Sequence, residues 1–399
     1  MTEQVLRRVR LWDGDADRGV VDLTWADGRI VAATPVEGDV PEPEFSVIPG
    51  LIDTHVHLDT DAKTHRADRS WGIVTPPEER SLHMVSHAMT AMRGGVTTMR
   101  DLASEPAHFA VGRAFESGIL EGPRLLGGGA VGMTAGHGDL FTPPHYPHRP
   151  PVADSPDECR RLVRQWARAG TYSIKIYTSG GVLSMGDKVS WRNHTSAEIA
   201  ATVDEAHALG MLVAAHTHTP EGIDIALEHG VDSIEHATGL REENIPRLAA
   251  LGMPVTPTIL VHDRLHAPGS GVDAETLEKS RVTTDEREVR LRAAADAGVR
   301  FILGSDANGV FTRFGEQMLE VQLMARLFGW TAERALIAST SDAADAIGLD
   351  VAGRLTPGKS ADFVVMRGRP WLDVADITTD GIVGVVARGR LLHGALPSA

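Results

Sequence analysis

An α/β fold, a (β/α)8 TIM-type barrel with a small β-sandwich made from both termini, is what this 399-residue sequence predicts. Two observations carry that expectation. Through the middle of the chain short buried runs alternate with amphipathic helical spacing, and at both ends strand-like runs are broken by turn residues.

The first stretch alternates apolar runs at 5–11, 20–25 and 29–33 with the turns Asp13-Gly14 and Asp27-Gly28, a β meander, and a Pro- and acid-rich connector follows at 40–44. Near the other end 361–366 and 382–388 are again strand-like, with turns at Pro357-Gly358 and Asp380-Gly381. Neither end can bury a good core alone, so residues 1–48 and 353–399 should pair into one sandwich beside a barrel of 49–352. Barrel strands are expected at 51–55, 97–101, 124–126, 173–177, 212–216, 233–236, 255–259 and 301–305. Helices are expected at 81–92, 106–117, 157–169, 196–209, 221–229, 242–251, 284–297 and 315–328. Glycines at 94, 118, 170, 210, 230, 252, 298 and 329 sit where those helices should stop, as residues free to take positive φ. The glycines at 127–129 resemble a phosphate loop only superficially, because no Gly-Lys-Ser/Thr follows, and read as flexible backbone at the barrel end.

Composition narrows the partners. With 39 Lys+Arg against 54 Asp+Glu the formal charge is -15, which argues against nucleic acid or anionic lipid and makes a small-molecule substrate the default. Cys159 is the single cysteine, so no internal disulfide forms, and the start MTEQVLRRVR lacks the apolar stretch of a secretory signal. A cytoplasmic enzyme is expected, with no membrane span, since no uninterrupted apolar run reaches about 18 residues. Assembly into a homo-oligomer is left open.

In such a barrel reactive groups gather where strands end. His55 and His57 share a face, with Val56 pointing away, so two imidazoles can converge on one ion. Ser173, Lys175 and Tyr177 share the inward face of the fourth barrel strand. An unpaired buried ammonium is costly, and a neutral lysine amine can add carbon dioxide to form a carbamate whose two oxygens bridge two cations; an ordinary lysine paired with a carboxylate is the alternative. His216 and His236 end the fifth and sixth strands, and Asp306 follows the eighth. Spacing alone leaves open whether His216 or His218, on the same face, binds metal. His145 and His148 read as pocket-rim histidines, and His262 and His266 as exposed loop histidines.

The set resembles the amidohydrolase superfamily, on Pro49-Gly50-Leu51-Ile52-Asp53-Thr54-His55-Val56-His57, on Gly94-Gly95-Val96-Thr97-Thr98 and on the segment 353–362. That resemblance covers nearly the whole chain. It implies His55, His57 and Asp306 on one divalent ion, His216 and His236 on a second, and a carbamylated Lys175 with a hydroxide bridging the two. Zinc is the first choice of metal. Within the superfamily, the Xaa-Pro and Xaa-Arg dipeptidase-like group, ochratoxin-type amidases included, is the nearest resemblance. Gly136-His137-Gly138-Asp139 resembles its substrate-carboxylate loop, and the segment 175–184 its fourth-strand signature. Where that group has His-x-Tyr, this chain has His216-Thr217-His218, so His218 in place of a tyrosine meets the substrate.

The resulting expectation is hydrolysis of an amide in a dipeptide or N-acyl amino acid, with Asp306 shuttling the proton and His137, His218 and Tyr177 touching the substrate. An esterase, lactonase or carbamate hydrolase would use the same centre. A deaminase fits less well, because no Glu follows the fifth-strand His at the required spacing, and a non-catalytic scaffold would not need the full ligand set.

Overall fold

The computed structural model describes residues 3–38, 41–61, 70–284 and 286–397. Val40, first residue of the expected connector, and Asp285, inside the expected helix at 284–297, lie outside the described residues. Four strands open the chain: β1 (Gln4–Trp12), β2 (Asp17–Ala26), β3 (Arg29–Pro35) and β4 (Phe45–Pro49). Eight follow in the middle: β5 (Leu51–Val56), β6 (Val96–Ser104), β7 (Arg124–Ala130), β8 (Ser173–Tyr177), β9 (Leu212–Thr217), β10 (Ser233–His236), β11 (Pro254–Thr256) and β12 (Arg300–Phe301). Three more, β13 (Phe363–Arg367), β14 (Ile382–Ala387) and β15 (Arg390–Gly394), come from the other end.

β5 to β12 form a parallel sheet in sequence order, with helices between them. The sheet closes on itself: Thr54 N donates to Leu303 O (3.0 Å), Asp306 N to His55 O (2.8 Å) and His57 N to Ala307 O (2.8 Å). This is the expected barrel. On β8, Ile174 and Ile176 pack with Cys159, Val163 and Ile199 of the helix layer, while Ser173 and Lys175 occupy the alternate face. Among the described residues no helix is long and apolar enough to cross a membrane.

The terminal strands share one seven-stranded sheet, in the order β15-β14-β13-β4-β1-β2-β3. Trp25 of β2 meets Phe363 of β13 edge to face at 5.2 Å although β1 and β4 lie between their strands, so the sheet curls over its own core. The layers of the expected sandwich are thus two halves of one continuous sheet, enclosing Leu6, Leu23, Trp25, Val47, Phe363 and Val386.

Three local expectations are corrected. The seventh barrel strand stops at Thr256, and Ile259 already begins a helix, Ile259–Leu265, because Thr258 turns left-handed (φ 45°) and Glu320 accepts from Ile259 N (2.6 Å) and Leu260 N (2.7 Å). Gly94 ends its helix at φ -80° and Gly95 takes the positive φ of 91°; Gly94 must still be small, since a Cβ there would lie 2.7 Å from Gly315 backbone. Gly127, Gly128 and Gly129 are not loop but part of β7. Their hydrogen atoms make room for aromatic rings of the helix layer: an added Cβ would sit 2.5 Å from Phe109 at Gly127 and 2.5 Å from Trp166 at Gly129.

Gly129→Ala is therefore expected to overpack the helix layer and cost about 1–3 kcal/mol. A lowered thermal midpoint against wild type is the readout.

Candidate metal centre

His55 is the fifth residue of β5, and His57 lies just past the strand; the backbone bonds that close the barrel bring Asp306 against them. His57 Nε2 lies 3.3 Å from both His55 Nε2 and Asp306 Oδ1, and His55 Nε2 lies 3.8 Å from that oxygen. A second triad, His216, His218 and His236, comes from the ends of β9 and β10. Within each triad the donor atoms all lie within 4.8 Å of one another. The triads adjoin, with the rings of His55 and His236 4.9 Å apart.

Backbone strain helps assemble them. Alternation on β10 points Ser233 and Glu235 into the barrel, where both meet Arg100, and would turn His236 away. His236 instead has φ 69° and Asp306 φ 52°. A left-handed non-glycine costs on the order of 1–3 kcal/mol, and two of them here aim side chains at one cavity.

Beneath the triads lies a buried polar network that the sequence reading missed. His55 Nδ1 donates to Glu235 Oε2 (2.8 Å), while Arg100 Nη2 (2.9 Å) and Ser233 Oγ (2.6 Å) donate to Oε1 and the Thr256 hydroxyl to Oε2. Arg100 Nε also holds Thr54 O at 2.7 Å. Burial would push the Glu235 carboxyl up, but Arg100 and His55 hold it well below the usual range. Fixing Nδ1 of His55 as donor leaves its Nε2 lone pair free. The signal was available: Glu235 sits two residues from Ser233 on the inward face.

Lys175 is buried, and its Nζ has no hydrogen-bond partner among the described residues. Burial lowers its pKa to about 8. Its charge acts on members of both triads, among them His55, His216, His236 and Asp306. His216 Nε2 is also without a partner, whereas His218 Nδ1 pairs with Thr238 Oγ1 (2.8 Å) and His236 Nδ1 with Thr258 Oγ1 (2.9 Å).

His137 stacks on His216, ring centroids 4.3 Å apart. Its seat is built by Gly181, where a Cβ would come within 1.9 Å of the ring, and by Asp187, 3.6 Å from His137 Nδ1. Asp187 is itself fastened by Lys279 Nζ (2.7 Å), Ser184 Oγ (2.6 Å) and Gly181 N (2.9 Å). Tyr177 packs beside His137 at 4.9 Å, yet it is not among the residues lining the cavity of about 430 Å³ into which His57, His137, His216, His218, His236 and Asp306 open. His145 and His148 are exposed. His266 is exposed as expected, but His262 is corrected: it is buried on the helix after β11 and lines the same cavity, because that segment is helical and turns the ring inward.

A barrel that gathers imidazoles, a carboxylate and a lone lysine at the ends of its strands defines a class, the barrel hydrolases with metal-binding residues at that rim. The family follows: the model of the amidohydrolase family matches residues 46–392, and the chain belongs to that family. Ochratoxinase of Aspergillus niger is 29% identical over 378 residues, covering 87% of this chain and 77% of that one. A crystal structure of a Xaa-Pro dipeptidase with bound methionine matches at TM-score 0.87 and 26% identity, over 98% of this chain and 99% of that one. A prolidase complexed with N-methylphosphonate-L-proline matches at TM-score 0.86 and 28% identity, over 98% and 99%. Within the family, these likenesses are to ochratoxinase, a Xaa-Pro dipeptidase and a prolidase.

Arg100→Met leaves the Glu235 carboxylate short of its compensating charge, and a loss of about 3–5 kcal/mol is expected from urea unfolding at pH 7. The sign of its pH dependence follows from the depressed Glu235 pKa. Stability from the ionised form is complete above the unfolded glutamate value and is lost as pH falls below it, so the gap between variant and wild type should narrow below about pH 4.3.

Proposed function

We propose that the chain hydrolyses the amide bond of a dipeptide or N-acyl amino acid at a centre of two divalent ions, with residues 49–352 as the catalytic unit and 1–48 and 353–399 as its accessory. The observation that carries this reading is Lys175 Nζ, an amine with no hydrogen-bond partner among the described residues, buried beside two triads of side chains that could hold metal. A lone ammonium there is unfavourable. Carbamylation, in which the neutral amine adds carbon dioxide and releases a proton, replaces it with an anion suited to cations. The donor set fits zinc, which takes imidazole and carboxylate ligands.

His55, His57 and Asp306 would hold one ion, His216 and His236 the other, and modified Lys175 both. The family resemblance, not the hydrogen bonding, puts His216 on the ion in place of His218, whose ring is left to face substrate. When bound, such ions lower the pKa of a water to near neutrality and polarise the scissile carbonyl. Glu235 holds the His55 ring in the tautomer that presents Nε2. A carboxylate oxygen of Asp306 accepts the proton of the attacking water and passes it to the departing nitrogen. His137 and His218 orient the substrate from the cavity wall, and Tyr177 supports the His137 ring. The substrate class comes from the likeness to a Xaa-Pro dipeptidase and a prolidase.

The test is a screen of N-acyl amino acids and of Xaa-Pro, Xaa-Arg and Xaa-hydrophobic dipeptides with the zinc, manganese and cobalt forms. Turnover that a chelator abolishes and metal restores is expected. Activity confined to neutral esters or lactones would overturn the amide reading. Lys175→Ala should lose bound metal by elemental analysis even with bicarbonate present. Asp306→Asn should lower kcat by roughly 10²–10⁴ while some metal remains bound; unchanged turnover would remove Asp306 from the proton path.

A further inference from the structure

The terminal sheet meets the barrel at the end of the parallel strands that lies away from the candidate metal centre. Arg124 opens β7 there, and two hairpin turns of the sheet, one joining β2 to β3 and the other β14 to β15, line the same cavity as Arg124. Glycine lets the turns touch: a Cβ on Gly389 would lie 2.8 Å from Gly28 Cα. Both turns are tied to Ala361, which donates its N–H to Gly28 O (2.8 Å) and accepts at its carbonyl from Gly389 N (2.9 Å). Just after its glycine each turn carries an arginine, Arg29 in one and Arg390 in the other. Together with Arg124 and Arg388 they line a cavity of about 510 Å³. A smaller hollow of about 120 Å³ shares Glu116, Arg388 and Arg390 with it.

The charges at this seam do not balance. Arg29, Arg124, Arg388 and Arg390 face only Asp27 and Glu116 across the cavity, in a chain whose formal charge is -15. One oxygen, Glu116 Oε2, serves both Arg388 Nη1 (3.1 Å) and Arg124 Nη1 (3.5 Å). Asp362 is buried and outside the lining; its Oδ2 lies 3.6 Å from Arg124 Nη2, and its Oδ1 accepts from Arg388 N (2.6 Å). Arg29 donates to a carbonyl, Gly358 O (2.7 Å), and the Arg390 guanidinium has no hydrogen bond or ion pair among the described residues. Arg388 Nη2 also holds Gly122 O (2.6 Å), so its fork is fixed in place before any ligand arrives. Burial and the nearby charge of Arg124 push the Arg388 guanidinium below its ordinary pKa. Guanidiniums gathered without enough carboxylate repel one another, and their planar forks match the oxygens of phosphate.

We propose that the seam between the terminal sheet and the barrel is a binding site for a small phosphate-bearing anion, held by Arg29, Arg124, Arg388 and Arg390. Such a ligand joins both turns of the sheet to the first residue of β7, so it stabilises the fold without touching the metal centre. The site stands whether or not the barrel hydrolyses an amide. Because the cavity has room beyond one phosphate ion, free phosphate and a phosphate monoester both fit, and the two are told apart by titration.

The probes are inorganic phosphate and adenosine monophosphate, titrated calorimetrically into the metal-loaded protein. Ionic strength is held constant with sodium chloride, so that general screening is the same throughout. Wild type should bind at least one of them saturably, with a Kd at or below about 1 mM. Equal affinities assign the site to the phosphate group alone, and a tighter monophosphate assigns it to an ester. Arg29 and Arg390 are exposed, so Arg29→Gln and Arg390→Gln should fold, and each should weaken binding roughly tenfold or more, the worth of one charge-assisted hydrogen bond. Arg247→Gln, which removes an exposed arginine from the helix Ile245–Leu251, should leave binding unchanged. The thermal midpoint of wild type should rise with the bound probe, and that of the doubly substituted R29Q/R390Q protein should not. Absence of saturable binding by either probe would overturn the proposal. So would binding that survives both substitutions, as binding at the metal centre would, or an equal loss in R247Q.

Discussion

One carboxylate, Glu235, is held on the inside of the barrel with no water-facing surface, and its compensation comes from separate strands. Arg100 reaches it from β6, His55 from β5, Thr256 from β11, and Ser233 from its own strand. A buried charge tolerates no missing partner, so these strands must keep the register that brings the groups together. The same constraint sets the site. His55 belongs to the network on one face of its ring and to the first triad on the other, and β10 carries both Glu235 and His236.

Above this floor the second triad is shaped by contacts from outside the barrel. Lys279, on the helix Ala274–Thr284, holds Asp187; Asp187 faces His137; His137 lies flat on His216. Gly181 belongs to the chain of contacts because any side chain there would occupy the ring's place. Asp139, in the loop that carries His137, serves that loop's own structure: it pairs with Arg149 and accepts from Ala135 N (2.9 Å). The geometry of a strand-end histidine thus depends on a helix lying beyond the next strands in sequence.

Much of this was legible before any coordinates. Periodicity distinguishes Ile174 and Ile176 from Lys175 on β8, strand ends carry His55, His216 and His236, and Asp306 follows the last barrel strand, because a parallel barrel imposes a simple repeat on its sequence. What escaped has physical causes. The apolar run around Ile259 fits a strand as well as a helix, and only the left-handed Thr258 with the distant Glu320 decides for the helix, so His262 could not be placed. Gly127 to Gly129 look mobile when neighbours are unknown, whereas Phe109 and Trp166 occupy the space their side chains would need. Glu235 was overshadowed by the histidine beside it. The carbamate proposed on Lys175 would leave no trace in a sequence at all.

The folded-over terminal sheet bears on how the molecule is made. β4 has β1 on one side and β13 on the other, and more than three hundred residues of barrel lie between β4 and β13. A ribosome delivers β1 to β4 long before their last partners, at a pace of about 5–20 residues per second. Throughout that interval one edge of β4 has open backbone donors and acceptors, and Trp25 lacks the ring of Phe363. The final strands therefore act as a late clasp, and the nascent chain is most exposed to wrong partners while its barrel is still being built.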